Sequence, residues 1–270
     1  MKPLVSVIMA AHNEEQYIAD SIQSVLKQTY SNWELLIIDN ASTDNTSKII
    51  HSFNDSRMVI LYEEKPGVSR ARNHGLRKMK GEYFCFLDAD DQLTPNSIEI
   101  RINKFAKNEN LAFVDGIIQV YNEDFSQKIR TFKPAFTGNP RQELVKLNHK
   151  CFYGPSWLIK RKKGVMYEFN PALTHCEDLL FYIRYSMMGI YSYVEDNILI
   201  ARKHKKSAMT NLNGLGNGYM QLLKILSSSD YEFPVWKKLA FDLKRRKIML
   251  LSYTHEGNFL SGCKYFVFGN

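Results

Sequence analysis

Chemistry in this chain gathers where apolar runs stop. Residues 81–91 read GEYFCFLDADD. Tyr83 to Leu87 is short, apolar and aromatic-rich, the profile of a strand buried on both faces. It ends in Asp88, Ala89, Asp90 and Asp91. Three carboxylates at one buried strand end repel one another and lose hydration, so a cation is expected among them. An oxygen-only set favours a hard divalent ion, Mg²⁺ or Mn²⁺, which keeps waters and shares the rest of its shell with a substrate phosphate. Capping the next helix would need one carboxylate, not three. Further polar clusters are His12 to Glu14, Asp39-Asn40, Arg70 with Arg72, Glu177-Asp178, and the basic run Arg202 to Thr210 that holds His204. Glu177 and Asp178 open a helical segment, where carboxylates are favoured on that ground alone. His204 stands among cations, which favours its neutral, metal-ligating form; a solvated basic face explains the same run.

These groups need elements to position them. Leu4 to Ala10 predicts a first strand, with Asn13 capping the next helix and Gln16 returning a capping-box bond. Strands over Glu34–Asp39 and Met58–Tyr62 follow, separated by a short helix through Ile49, Ile50 and Phe53. A helix from Val68 to Met79 carries Arg70 and Arg72. This β-α-β-α-β-α-β succession with short connections predicts an α/β fold, a Rossmann-like, mostly parallel sheet flanked by helices. Ligands bind at the carboxyl ends of such strands, where residues 12–14, 39–40 and 88–91 converge. Thr94 as cap and Pro95 as first residue predict another helix. Strands are expected on either side of Gly116 and over Tyr193–Ala201, with loops and edge strands over 123–140. Leu222, Leu223, Leu226, Trp236, Leu239, Leu243 and Leu250 recur at helical spacing and predict a pair of helices packed on the core. The lysines and arginines crowding Trp236 to Tyr253 also allow a basic amphipathic helix on an anionic membrane.

The 270 residues allow one large α/β domain or two small ones, and the net charge of +8 points to an anionic partner. No GxGxxG follows the first strand and no GxxxxGK[ST] occurs, which argues against a dinucleotide cofactor and a P-loop. The four cysteines lack CxxC spacing, which argues against zinc and a disulfide framework and fits a reducing compartment. Leu4 to Ala11 is too short to span a bilayer and reads as a strand, not a signal peptide. No nucleic-acid-binding motif accompanies the positive charge.

Taken in order, VSVIMAAHNE, IIDNASTDNT, GVSRARNHGL, GEYFCFLDADD and CED resemble the family-2 glycosyltransferases of the GT-A fold, over roughly the first three quarters of the chain. The resemblance implies a catalytic domain over 1–215, with a nucleotide-sugar half at 1–91 and an acceptor half at 92–215, and a C-terminal helical extension over 216–270. It implies a nucleotide-sugar donor, Mn²⁺ or Mg²⁺, and inversion at the anomeric carbon. The family's DxD falls on Asp88-Ala89-Asp90: Asp90 would ligate the metal, Asp88 would face the ribose or metal, and Asp91 would support the acceptor side. Ala11, His12 and Glu14 would surround base and ribose, His12 standing where the family usually has tyrosine. Arg72, with Arg70 beside it, would lie near base and phosphates. The late basic loop matches Arg202 and Ser207, expected on the diphosphate, and His204, expected to complete the metal shell or touch the diphosphate. The family's usual Asp-Asp after strand two is Asp39-Asn40 here. An asparagine carbonyl can still accept a uracil N3–H, so a UDP-sugar is expected ahead of dTDP- or GDP-sugars. The ED motif falls on Glu177-Asp178, making Asp178 the expected base and Glu177 its neighbour. Tyr153 and Trp157 could stack on an acceptor sugar, although core packing is the commoner fate of such rings. The acceptor is expected to be a glycan or lipid-linked glycan in bacterial surface polysaccharide synthesis, and the enzyme cytoplasmic, peripheral on the inner face of the plasma membrane. The rivals are a sugar-1-phosphate nucleotidylyltransferase, which lacks its expected Gly-rich, Arg-containing loop here, and a non-catalytic nucleotide- or carbohydrate-binding module.

Overall fold

The computed structural model describes residues 2–204, 210–228 and 233–269. Its first half follows the hydrophobic pattern. Strands β1 (Val5–Ala11), β2 (Trp33–Asp39), β3 (Met58–Tyr62) and β4 (Tyr83–Phe86) alternate with helices α1 (Ile18–Leu26), α2 (Thr46–Ser52) and α3 (Val68–Lys78). β1 lies between β2 and β4, and all these pairs are parallel. The chain moves outward from β1 to β3 and returns across α3 to β4, so the sheet reverses direction beside β1. Such a reversal opens a crevice at the carboxyl ends of β1 and β4.

The second half is mixed where a mostly parallel sheet is expected. The remaining strands are β5 (Gln92–Leu93), β6 (Leu111–Asn122), β7 (Lys128–Phe132), β8 (Leu158–Lys160) and β9 (Ile190–Lys203). The sheet runs β3-β2-β1-β4-β8-β6-β9-β5, with β7 on β6. β8 is antiparallel to both β4 and β6, whereas β6 and β9 are parallel. The two strands expected around Gly116 are one bulged strand, β6.

Side chains alternate across the sheet. Ile8, Leu36, Ile38, Phe84 and Phe86 enter one core with α3 and α6 (Glu177–Tyr185). Val7, Met9, Leu35, Ile37 and Cys85 enter the other, with α1 and α4 (Ser97–Ala106). Two expected helix starts are displaced. Asn13 does not cap α1: its backbone is left-handed (φ 58°) and its Oδ1 accepts from Thr43 N at 2.8 Å, while Tyr17 occupies the cap position. Thr94 does not cap α4 either; it donates to Asn197 O at 2.6 Å, and Asn96 stands at the cap. In both cases a bond to a distant loop replaces the local one.

Among the described residues three C-terminal helices, not two, follow: α7 (Leu212–Leu226), α8 (Val235–His255) and α9 (Phe259–Phe268). Leu222, Leu226, Phe241, Met249 and Tyr265 join the α3–α6 side of the core. Trp236, Leu239 and Leu243, expected to pack inward, point to solvent.

Entry into β4 is tight. A methyl on Gly81 would lie 2.5 Å from Tyr83 O and 2.7 Å from Ser6 N, both backbone atoms. Gly81 N also bonds Ser6 Oγ, itself a donor to the buried Glu34 carboxylate. Gly81→Ala should therefore cost about 1–3 kcal/mol by overpacking. Urea unfolding should show a lower midpoint at constant slope; an unchanged midpoint would refute the tight entry.

Candidate active site

Four elements deliver the expected residues to the crevice. The ends of β1 and β2 are joined where Asn40 N donates to Ala11 O (2.8 Å) and His12 Nδ1–H donates to Asn40 O (2.7 Å). That bond fixes the His12 tautomer and leaves its exposed ring beside the crevice. Glu14 N is held by Thr46 Oγ1 at 2.7 Å. Asp39 is buried; its Oδ1 accepts from Ser42 N at 3.1 Å, while Oδ2 has no hydrogen-bond partner among the described residues. Ala41, next in line, is left-handed (φ 54°), a conformation that costs energy and concentrates at functional sites.

Asn40 departs from its expected role. Its Nδ2 donates to Glu63 O (3.0 Å) and Lys65 O (2.8 Å), and its Oδ1 accepts from Gly67 N (2.7 Å). The amide is a clamp that ties the β3–α3 loop to the end of β2, and it faces that loop instead of a base. Asp39 retains the free carboxylate oxygen of the pair.

The three carboxylates after β4 have oxygens lying within 4.8 Å of one another. Each has one oxygen tied back into the protein: Asp88 Oδ1 to Arg72 Nη2 (2.8 Å), Asp90 Oδ2 to His204 Nε2 (2.9 Å), and Asp91 Oδ1 to Arg202 N (2.8 Å). The second oxygens carry no such bond among the described residues. A set of hard oxygens, oriented from behind and drawn together, fits a divalent cation. Burial and the charges of Asp90 and Asp88 push the Asp91 carboxyl well above its ordinary range, the sign of a site short of positive charge.

Two expected cations serve this scaffold. His204 stands behind Asp90; their hydrogen bond outweighs desolvation and raises the imidazole pKa, so the expected neutral form is disfavoured. Arg202 is buried. It donates through Nε to Asp90 O (3.1 Å), through Nη1 to Glu123 O and through Nη2 to Asp20, and it lies over the rings of Phe125 and Tyr17. It therefore clamps the loop and is not presented to a diphosphate. Ser207 lies outside the described residues. Ala89 is buried, its carbonyl taken by Ser21 Oγ. Arg70 is exposed at the start of α3.

Arg72 joins the two halves of the site. It is buried, donating Nη2 to Asp88 and Nη1 to Glu177 Oε1 at 3.0 Å. Burial disfavours its charge, but Asp88, Glu177 and Asp178 outweigh burial and raise its pKa. Glu177 opens α6 after Cys176, which is left-handed at φ 61°. Its carboxyl is raised, chiefly by burial, against the pull of Arg72. Burial and then the Glu177 charge push Asp178 up to about 7. Asp178 Oδ1 accepts from its neighbour Leu179 N, and the residue lines an open cleft.

That cleft was largely invisible to sequence reasoning. Its walls are helix α5 (Arg141–Val145), the segment 147–153, and Leu215 and Tyr219 of α7. Leu147 and His149 are both left-handed, so the segment has no period to read. Tyr153 is at the cleft, packed on Phe132 and the Arg130 guanidinium. Trp157 is not: it is 0% exposed, stacked among Phe113, Tyr182 and Tyr191, with Nε1 donating to Cys151 O. Packing in the core removes it from any acceptor. Tyr17 was also missed; it packs on His204 with ring centres 5.1 Å apart and donates to Glu123 Oε1.

A reversing α/β sheet with an acidic triad at its crevice and a paired acid across a buried arginine is the arrangement of a GT-A glycosyltransferase. The sequence profile of glycosyl transferase family 2 matches residues 6–164, and the chain belongs to that family. It is 43% identical over 122 residues to the UDP-Glc:alpha-D-GlcNAc-diphosphoundecaprenol beta-1,3-glucosyltransferase of Escherichia coli, a match covering 45% of this chain and 48% of that protein. The chain thus matches about half the length of that relative. It is 32% identical over 280 residues to an uncharacterized glycosyltransferase of Rickettsia typhi, covering 98% and 80%. The crystal structure of S. aureus TarS 1-349 in complex with UDP-GlcNAc superposes with a TM-score of 0.65 at 17% identity, covering 94% of this chain and 73% of that one. That likeness establishes the fold. No helix among the described residues is long and apolar enough to cross a membrane.

The Asn40 clamp reverses an expectation. A carboxylate at this position cannot donate and would face the carbonyls of Glu63 and Lys65. Asn40→Asp should lower stability by about 1–3 kcal/mol through unmade bonds, and it should weaken UDP binding, not tighten it. Thermal unfolding and calorimetry measure both; a tighter UDP complex would restore Asn40 as a base selector.

Proposed function

We propose that this chain is an inverting, divalent-metal-dependent glycosyltransferase. It would move a sugar from a UDP-sugar to a hydroxyl of a glycan or lipid-linked glycan in bacterial surface polysaccharide synthesis. The observation that carries this is the Arg72 bridge, which holds the Asp88 end of the acidic triad and the Glu177-Asp178 pair on either side of one guanidinium.

The donor side needs charge. A divalent ion held by the free oxygens of Asp88, Asp90 and Asp91 would neutralise the nucleoside diphosphate as it leaves. His204 and Arg202 orient the carboxylates from behind, and Arg70 is the exposed cation near the phosphates. Uridine selection falls to Asp39, whose unpaired oxygen can accept an N3–H. The names of the E. coli relative and of the TarS complex, which print UDP-Glc and UDP-GlcNAc, support a uridine donor. The first of those names, with its diphosphoundecaprenol acceptor, supports a lipid-linked one. The unpaired cysteines support a cytoplasmic, reducing compartment.

Inversion requires the acceptor oxygen to attack opposite the leaving diphosphate and to lose its proton as it does so. The triad is tied to the leaving group. Asp178 is separate from it and lines the cleft; its Oδ1 is oriented by Leu179 N, and its other oxygen would take the proton. A carboxyl near 7 is a stronger base than an ordinary aspartate and is about half ionised at neutral pH. Burial, and then the charge of Glu177 fixed by Arg72, holds that value up.

Asp178→Asn should lower transfer about 10²–10⁴-fold while leaving UDP affinity unchanged. In the parent enzyme transfer should rise as pH passes through about 7, where Asp178 loses its proton. Near-normal turnover in the variant would remove Asp178 from the reaction. Asp90→Ala should abolish the gain in UDP affinity that Mn²⁺ provides, measured calorimetrically, with unfolding little changed. A retained Mn²⁺ effect would overturn the metal assignment.

A further inference from the structure

Helices α8 and α9 carry an apolar surface that the fold does not use. α8 turns Phe241, Arg245 and Met249 inward. The opposite face shows Val235, Trp236, Leu239, Leu243 and Leu251 to solvent, with Trp236 at 66% exposure. At 100° per residue these fall in one stripe, with Arg246 and Lys247 inside it and Lys237 and Lys244 along one border. α9 adds Phe259, Leu260, Phe266 and Val267, with Leu260 at 82%. Exposed apolar residues are ordinary singly; so many on two helices that pack on one another mark an interaction surface.

Charge selects the occupant. The one carboxylate of α8, Asp242, is taken by Arg245 and Arg246. Lys237, Lys244 and Lys247 carry no ion pair among the described residues, and Lys237 lies 5.3 Å from the Trp236 ring centre. Lysines bordering an apolar stripe can lay their stems on it and lift their ammonium groups to a polar layer. Aromatic and leucine side chains on one face with lysines around them suit the headgroup boundary of an anionic bilayer. A second copy of the same face would bring like charges together.

We infer that α8 and α9 form a docking face for an anionic lipid surface. The face stands close to the acceptor cleft. α7, whose Leu215 and Tyr219 line that cleft, packs on α8 through Tyr219 and Phe241, with ring centres 6.5 Å apart. Docking therefore holds the cleft wall within a helix layer of the lipid. This goes beyond the transfer reaction and does not depend on the donor or the base.

The test uses a reporter already in place. Of three tryptophans, Trp33 and Trp157 are buried and Trp236 is exposed, so a change of emission on vesicle binding reports α8. With the full chain, vesicles of phosphatidylcholine and phosphatidylglycerol should shift emission to shorter wavelength and carry the protein on flotation, less so at high salt. Phosphatidylcholine alone should do neither. Lys244→Gln with Lys247→Gln should weaken partition by roughly tenfold or more, and Leu239→Glu with Leu243→Glu should abolish it. Both variants should keep their circular dichroism and their donor hydrolysis, which separates loss of docking from loss of catalysis. Absence of salt-sensitive binding would overturn the inference. So would a concentration-dependent dimer, by light scattering without lipid, that the leucine variant dissolves.

Discussion

A guanidinium buried between two carboxylates from opposite parts of the chain governs this structure. Arg72 is costly to desolvate, and its cost is offset only while Asp88 and Glu177 both remain in place. The dependence is mutual. Without the arginine, Glu177 would be left buried and unpaired, while Asp88, which reaches solvent, would lose its partner. Strand β4, helix α3 and helix α6 cannot shift independently without breaking a charge-assisted bond. Asp88 and Glu177 therefore share one counter-ion, and the distance between them is set by the width of a guanidinium.

Around that ion lies an aromatic block. Phe86, immediately ahead of the acidic turn, meets Phe169 and Phe181 edge-on, and Phe169 stacks on Phe181 at 4.3 Å. Arg72 lies over the rings of Phe86 and Phe169. Rings have few rotamers and preferred mutual geometries, so the block is stiff where the chemistry needs precision. Asn73, beside Arg72, binds the Phe169 backbone through both ends of its amide. The site is held at preset positions by packing, and the loops on its far side are free to take the irregular conformations that line the cleft.

Local order was legible in the sequence and distant partnership was not. Tyr83 to Leu87 announces a buried strand and Asp88 to Asp91 an acidic edge, because both depend on neighbours in the chain. The Asp88 and Glu177 ends of the Arg72 bridge are 16 and 105 residues away, and no spacing rule reports them. Asn13 and Thr94 have the composition of caps but found stronger partners across loops. Arg202 and Asn40 look like ligand-binding groups because polar side chains near a crevice usually are; here each is consumed as a clamp. Period alone also failed on α8. Two apolar stripes run along that helix, and the residues that match helical spacing best, Trp236, Leu239 and Leu243, are the ones that stay outside.

The left-handed Cys176 beside the acidic pair has a chemical consequence. Sulfur reacts as thiolate. Burial, with Asp178 and Glu177 adding to it, holds the Cys176 thiol well above its ordinary range, and burial also raises Cys85 and Cys151. Its position beside Glu177 therefore gives no nucleophile and no easy target for oxidants. Cys263 on α9 is the partly exposed sulfur of the four. An electrophile meeting this enzyme would label its outer helix while the sulfur at its centre stayed inert.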